Sequence, residues 1–275
     1  HDVLPAQVRQ SGDGNAVSDK SWVIASGDGP IIATAIHAGH ELRHQVRELT
    51  ALSDDERLRE EDPFTDQWLR VGDTTIGVTM SRFEVDLTRP RHSAVYVAPS
   101  DAWGLQLWNQ SLPPEAIQGS LEIYDTFYSE LGQTCDQVAA AHDRFVVLDI
   151  HSYNHRRQGS DAPVDPPSEN PEINVGTGSV DRELWGGLVD VFSSALAEYP
   201  FDGGHLDVRE NVRFRGGHMS RWINERYSGR GCALAIEVKK IYMDEWTGQG
   251  DEGVIVSVGE ALAAATTAVR EYLSA

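Results

Sequence analysis

Only two cysteines, Cys135 and Cys232, occur in 275 residues. Two isolated thiols exclude a multi-cysteine zinc cluster and argue against a secreted disulfide scaffold. Any metal must therefore be held by histidine and carboxylate. Lysine is almost as scarce: the 23 basic residues include only Lys20, Lys239 and Lys240. With 43 acidic residues the formal net charge is −20. Such a surface repels nucleic acid and anionic membranes, so neither is an expected partner. No apolar run approaches the roughly 18 residues of a transmembrane helix, and no leader pattern is visible. A soluble, cytoplasmic protein is the expectation; oligomeric state is left open.

What is present is an alternation of apolar strands and helical segments. PIIATAIHAGH (30–40) reads as a buried strand ending at His37 and Gly39. Residues 40–60 are charged and helix-compatible, with Ser53 as an N-cap followed by acidic residues. TTIGVTM (74–80) is rich in β-formers, and SRFEVDLTRP (81–90) is expected to extend that strand until Pro90 stops it. Apolar positions at helical spacing fill 112–144, opened by Pro113 and Pro114. FVVLDI (145–150) and CALAIEV (232–238) are continuous apolar strands, and helices are expected over 181–198 and at the C-terminus. Residues 158–172 form a Pro/Asp/Ser-rich loop of the kind that rims sites. Apolar strands separated by helices predict one α/β domain over 21–275, a mostly parallel mixed sheet covered by helices on both faces. Residues 1–20 are polar and are expected to be a flexible N-terminal segment.

In such sheets ligands sit at the carboxyl ends of strands. Three strands end suggestively, on His37, His151 and Glu237. A catalytic zinc takes three protein ligands and leaves a position for water. His37 and His151 suit two of them, and Glu41, His40 and Asp66 are the choices for the third. Asp149 lies two residues before His151 on the same strand face and is placed to brace a ligand. Glu237, at a buried strand end, is suited to accept a proton from water, unless it pairs with Lys239. Arg82 and Arg89 flank Asp86, and their planar forks suit carboxylate capture or pairing with Glu84 or Asp86. Arg156 and Arg157 follow the His151 strand as further cations for an anionic substrate, or as partners of the acidic loop.

In order along the chain, His37-Ala-Gly39, EEDPFTDQW, SRFEVDLTRP, LDIHSY, INVGT, RGGHMSRW and AIEVKKIYMDE resemble the N-formylglutamate amidohydrolase family, a branch of the zinc carboxypeptidase-like hydrolases. The resemblance spans roughly residues 30–250. It implies that fold, one zinc ion per chain, and hydrolysis of the amide bond of a small anionic N-acyl amino acid. It implies His37 and His151 as zinc ligands and favours Asp66 over Glu41 as the third. Glu237 resembles the general base, Arg82 the oxyanion stabiliser, and Arg89 the grip on the substrate carboxylate. The family's Asn-Arg pair is Thr88-Arg89 here. A hydroxyl cannot copy an amide's two-sided contact, so substrate recognition around Thr88 is expected to differ. The rival readings are a deacylase or carboxypeptidase for another acyl amino acid or peptide, and a silent metal- or ligand-binding relative.

Overall fold

Nine residues in a row, Phe145–Tyr153, form a strand buried at every position. A strand covered on both faces must be central, and this one pairs in parallel with neighbours on both sides. The computed structural model describes residues 21–275; the N-terminal segment expected over 1–20 lies outside them. The first part of the chain forms β1 (Trp22–Ala25), β2 (Ile31–Ala35), α1 (His44–Arg47), α2 (Asp54–Glu60) and β3 (Thr74–Val78). Then come α3 (Pro114–Ala141), β4 (Phe145–Tyr153), β5 (Ile173–Gly176) and α4 (Arg182–Glu198). A hairpin of β6 (Pro200–Phe201) and β7 (Gly204–His205) precedes β8 (Val208–Glu210), α5 (His218–Arg226), β9 (Gly231–Lys239) and α6 (Glu252–Ser274).

The seven-stranded sheet runs β1-β3-β2-β4-β9-β5-β8. It is mixed: β1 against β3 and β5 against β9 are antiparallel, and the other four pairings are parallel. Alternation along β4 sorts the core. Val146, Leu148 and Ile150 join α4 and α6 on one face. Phe145 and Val147 join Phe127, Leu131 and Cys135 of α3 and Met219 and Ile223 of α5 on the other. Truncating a residue such as Leu148 to alanine removes packing on a fully buried face and costs about 2–5 kcal/mol. This is the α/β architecture expected from the apolar strands.

Local expectations fared unevenly. Ser53 caps α2 through a reciprocal box with Glu56. SRFEVDLTRP is not a strand: β3 stops at Val78, and 81–90 coils with Ser81 and Phe83 to Leu87 buried. A strand with one covered face buries every other residue, whereas here Phe83, Glu84, Val85, Asp86 and Leu87 are buried in succession and the two carboxylates bind other side chains. Strand β4 also runs two residues past His151, because the parallel register with β9 continues to Tyr153 and Lys239. Helix α6 is long and apolar enough to cross a bilayer by length and composition. In this fold it is a core helix: Ile255, Val258, Leu262 and Val269 are buried against the sheet and α4.

Candidate active site

The parallel register sets His151 of β4 directly beside Glu237 of β9. Both lie on the α3/α5 face, in phase with Val147 and Ala233. His37 follows β2, the strand on the other side of β4. Its loop turns back sharply at Gly39, where a Cβ would lie 2.1 Å from the Thr79 carbonyl carbon. Only glycine permits that approach. Asp62 enters from the segment after α2, tied by its N–H to the His37 carbonyl at 2.9 Å. Pro63 follows and biases the preceding residue to extended backbone.

These elements bring His37, Asp62 and His151 together, each buried, with one ligand atom apiece within 4.8 Å of the others. Asp62 Oδ2 lies 3.1 Å from His151 Nδ1 and 3.5 Å from His37 Nδ1. The edge of a tetrahedral site with bonds of about 2.1 Å is roughly 3.4 Å, so the spacing fits a zinc-sized ion. The remaining ring nitrogens agree. His37 Nε2 faces Asp86 at 2.8 Å and His151 Nε2 faces Asp149 at 2.9 Å. An ionised carboxylate can only accept, so each brace fixes Nε2–H and leaves Nδ1 facing Asp62, a donor to it while the ring is protonated and a lone pair for an ion once that proton is lost. Two imidazole nitrogens and one carboxylate are a zinc-type donor set.

The braces are themselves held. Asp86, fully buried, also accepts from Arg82 at 2.9 Å, from the Thr88 N–H at 2.9 Å and from the Tyr96 hydroxyl. Burial alone would raise its pKa, but Arg82 and His37 outweigh burial and hold it well below the usual carboxylate range. Asp149 accepts from Thr34 at 3.1 Å and Ser220 at 3.0 Å. Burial opposes its ionisation and the charge of His151 overcomes that, so its pKa is lowered. Asp62 is likewise lowered against burial by hydrogen bonds from His151 and His37. For His151 burial favours the neutral ring, and Asp149 reverses it, raising the pKa well above the ordinary histidine value.

Glu237 is the exception. Its carboxylate accepts no hydrogen bond among the described residues, and burial pushes its pKa up to about 7, with His151 pulling the other way. The lysine pairing considered for it is not made. Lys239 Nζ donates to the Asn170 carbonyl, and Lys240, buried, donates to the carbonyls of Arg59 and Glu61. A cavity of about 200 Å³ opens over this floor. His37, Asp62, His151 and Glu237 line it together with Arg82, Thr88, Trp103, Ser152, Phe214, Arg215, Gly216 and Gly217.

Several expected residues lie elsewhere. Asp66 is exposed on a 3-10 helix (Thr65–Val71) whose buried positions, Thr65, Trp68 and Val71, recur every three residues. That period turns Asp66 outward, and Asp62 takes its place beside the histidines. Glu41 is exposed and accepts from Thr79 at 3.1 Å. His40 is engaged by Glu61 and Arg57. Arg157 grips Glu60 with both terminal nitrogens at 3.0 and 2.8 Å. Arg89 lies over Tyr96, 4.4 Å from the ring centre, and donates to the Asp101 carbonyl at 2.6 Å. Neither arginine lines the cavity. Arg82 does, with Asp86 as its ion-pair partner. Sequence reasoning missed Asp62, Trp103, Phe214 and Arg215. The Asp-Pro step at 62–63 was a usable signal for the first, and Arg215 opens the RGGHMSRW segment; Trp103 and Phe214 carried none.

A family profile described as N-formylglutamate amidohydrolase matches residues 29–243. The chain is similar in structure to an N-formylglutamate amidohydrolase from Ralstonia eutropha JMP134, with 19% identity and a TM-score of 0.71. That likeness covers 92% of this chain and 98% of the other. A gene product of Agrobacterium tumefaciens is similar at 18% identity and a TM-score of 0.69, over 93% of this chain and 97% of that one. At such identities the likeness shows the fold. No curated protein matches the chain in sequence.

Proposed function

This chain belongs to the N-formylglutamate amidohydrolase family, and from that premise we propose that it is a zinc-dependent enzyme hydrolysing the amide bond of a small N-formyl or short N-acyl amino acid. One observation carries the reading: a partly buried carboxylate, Glu237, with no hydrogen-bond partner among the described residues, stands in register beside the braced trio of His37, Asp62 and His151. The trio would hold the ion through two Nδ1 atoms and one carboxylate oxygen. When bound, the zinc supplies Lewis-acid polarisation of the scissile carbonyl and a lowered pKa for water at the site.

The chain's own groups do the rest. Glu237, with no hydrogen bond to give up, takes the proton of the attacking water and returns it to the departing amine nitrogen. A carboxylate whose pKa lies near 7 is matched to both halves of that transfer. Asp86 and Asp149 keep both rings in the tautomer that presents Nδ1. Arg82 is held by Asp86, Tyr96 and the Glu60 carbonyl, so its charge faces the cavity without reorganising as negative charge grows on the carbonyl oxygen. The cavity's modest volume suits an amino-acid-sized solute better than a polypeptide.

Kinetics on zinc-loaded protein test the reading. N-formyl amino acids, N-formylglutamate included, should release formate, and activity should vanish with chelation and return with zinc. Lengthening the acyl chain from formyl through acetyl to butyryl should lower kcat/KM in steps. Turnover that survives complete metal removal would overturn the proposal.

A further inference from the structure

Four arginines stand around the site, and three are already committed. Arg82 uses Nε, Nη1 and Nη2 on Tyr96, Glu60 and Asp86. Arg157 is spent on Glu60, and Arg89 on the Asp101 carbonyl and the face of Tyr96. Arg215 differs. It lines the cavity, and among the described residues its guanidinium makes no hydrogen bond, ion pair or ring contact.

The backbone beneath it is fixed. The Arg215 carbonyl accepts the Gly178 N–H at 2.7 Å. Gly216 follows with φ +99°, a conformation costly to any residue with a Cβ. Gly217 then packs so closely on Thr88 that a Cβ there would lie 2.0 Å from Thr88 Oγ1, and the His218 N–H donates to the Thr88 carbonyl at 2.7 Å. The turn therefore presents an unpaired, permanently charged fork at the cavity wall with little loop ordering left to be done on binding. In a chain of net charge −20, such a fork over a small cavity attracts a small anion.

We propose that Arg215 captures the free carboxylate of the substrate, in the role the sequence suggested for Arg89; the inference rests on the amide-hydrolysis reading above. Thr88, where the family pattern has asparagine, serves this arrangement by seating the Gly216–Gly217 turn. One free guanidinium selects for a substrate with at least one carboxylate and sets its distance from the trio.

The test compares Arg215→Gln, Arg215→Lys and Arg89→Gln as zinc-loaded proteins. For an N-formyl amino acid, Arg215→Gln should raise KM by about 100-fold while kcat stays within about threefold. For the matching carboxamide, which lacks the anion, the same variant should behave like wild type. Arg215→Lys should recover part of the loss, and Arg89→Gln should leave KM near wild type. The side chain makes no hydrogen bond, ion pair or ring contact among the described residues, so folding and zinc content should not change. Calorimetric titration with succinate supplies a readout without turnover: its affinity should fall about 100-fold in Arg215→Gln alone. If wild type hydrolyses no acyl amino acid yet binds succinate through Arg215, the reaction reading fails and the anion site stands. If Arg215→Gln keeps wild-type KM and succinate affinity, or if the carboxamide suffers equally, the Arg215 proposal is overturned.

Discussion

The floor and the rim of the cavity are built on opposite plans. On the floor His37, Asp62, His151, Asp86 and Asp149 are buried and joined to one another by hydrogen bonds. Their positions come from strand ends, from one segment locked to a strand-end carbonyl and, for Asp86, from the buried coil that follows β3. On the rim Trp103 is 46% exposed, with a positive φ of 52°, and Arg215 has no partner among the described residues. Both come from loops. A buried polar network is stable only when every member is satisfied, so the floor tolerates little change. The rim carries unmet interactions that a ligand can complete. The proposed chemistry thus rests on the floor and the proposed selection on the loops, a division that mutations on each side can break.

The largest effect is expected at Glu237, a floor carboxylate that accepts no hydrogen bond among the described residues. Glu237→Gln should lower kcat by about 10²- to 10⁴-fold with zinc content unchanged, as measured by steady-state kinetics and metal analysis. The pH profile follows from the same group. A base works only when deprotonated, so kcat/KM should fall as pH drops through the Glu237 pKa. Burial raises that pKa to about 7, and a nearby cation lowers it, so the acid limb belongs at or below that pH. The limb should be missing from the residual activity of Glu237→Gln.

Next come the braces. Asp149→Asn or Asp86→Asn should weaken zinc affinity by about 10- to 100-fold in competition with a chelator, because an amide no longer dictates the ring tautomer. If both variants bind zinc as wild type does, the braces are structural only. The smallest change is expected on the rim. Arg82 and Arg157 lie against the Trp103 ring at 4.9 and 5.2 Å, and the ring lines the cavity. Trp103→Ala should shift KM by roughly fivefold and leave thermal stability nearly unchanged, since the side chain packs little core. A large loss of melting temperature would mean the loop belongs to the core instead.

The floor was largely legible in the sequence and the rim was not. Continuous apolar runs revealed β2, β4 and β9, and strand ends in an α/β sheet direct attention to His37, His151 and Glu237. Asp149 was readable from strand alternation alone. Asp62, four residues before the expected Asp66, lies beside the histidines, because EEDPFTDQW holds two plausible aspartates and only the three-residue repeat of Thr65, Trp68 and Val71 turns one of them outward. SRFEVDLTRP misled through β-propensity, since its charged side chains are consumed by buried pairs rather than by an exposed strand face. Arg215 and Trp103 stand on loops whose course depends on distant contacts such as Gly217 on Thr88, which no local pattern announces.

We propose that Asp62, with the two histidines, holds the metal. Zinc stoichiometry in purified Asp62→Ala and Asp66→Ala tests it most directly. One ion per chain is expected in Asp66→Ala and substantial loss of zinc in Asp62→Ala. The reverse pattern, or full occupancy in both variants, would contradict it.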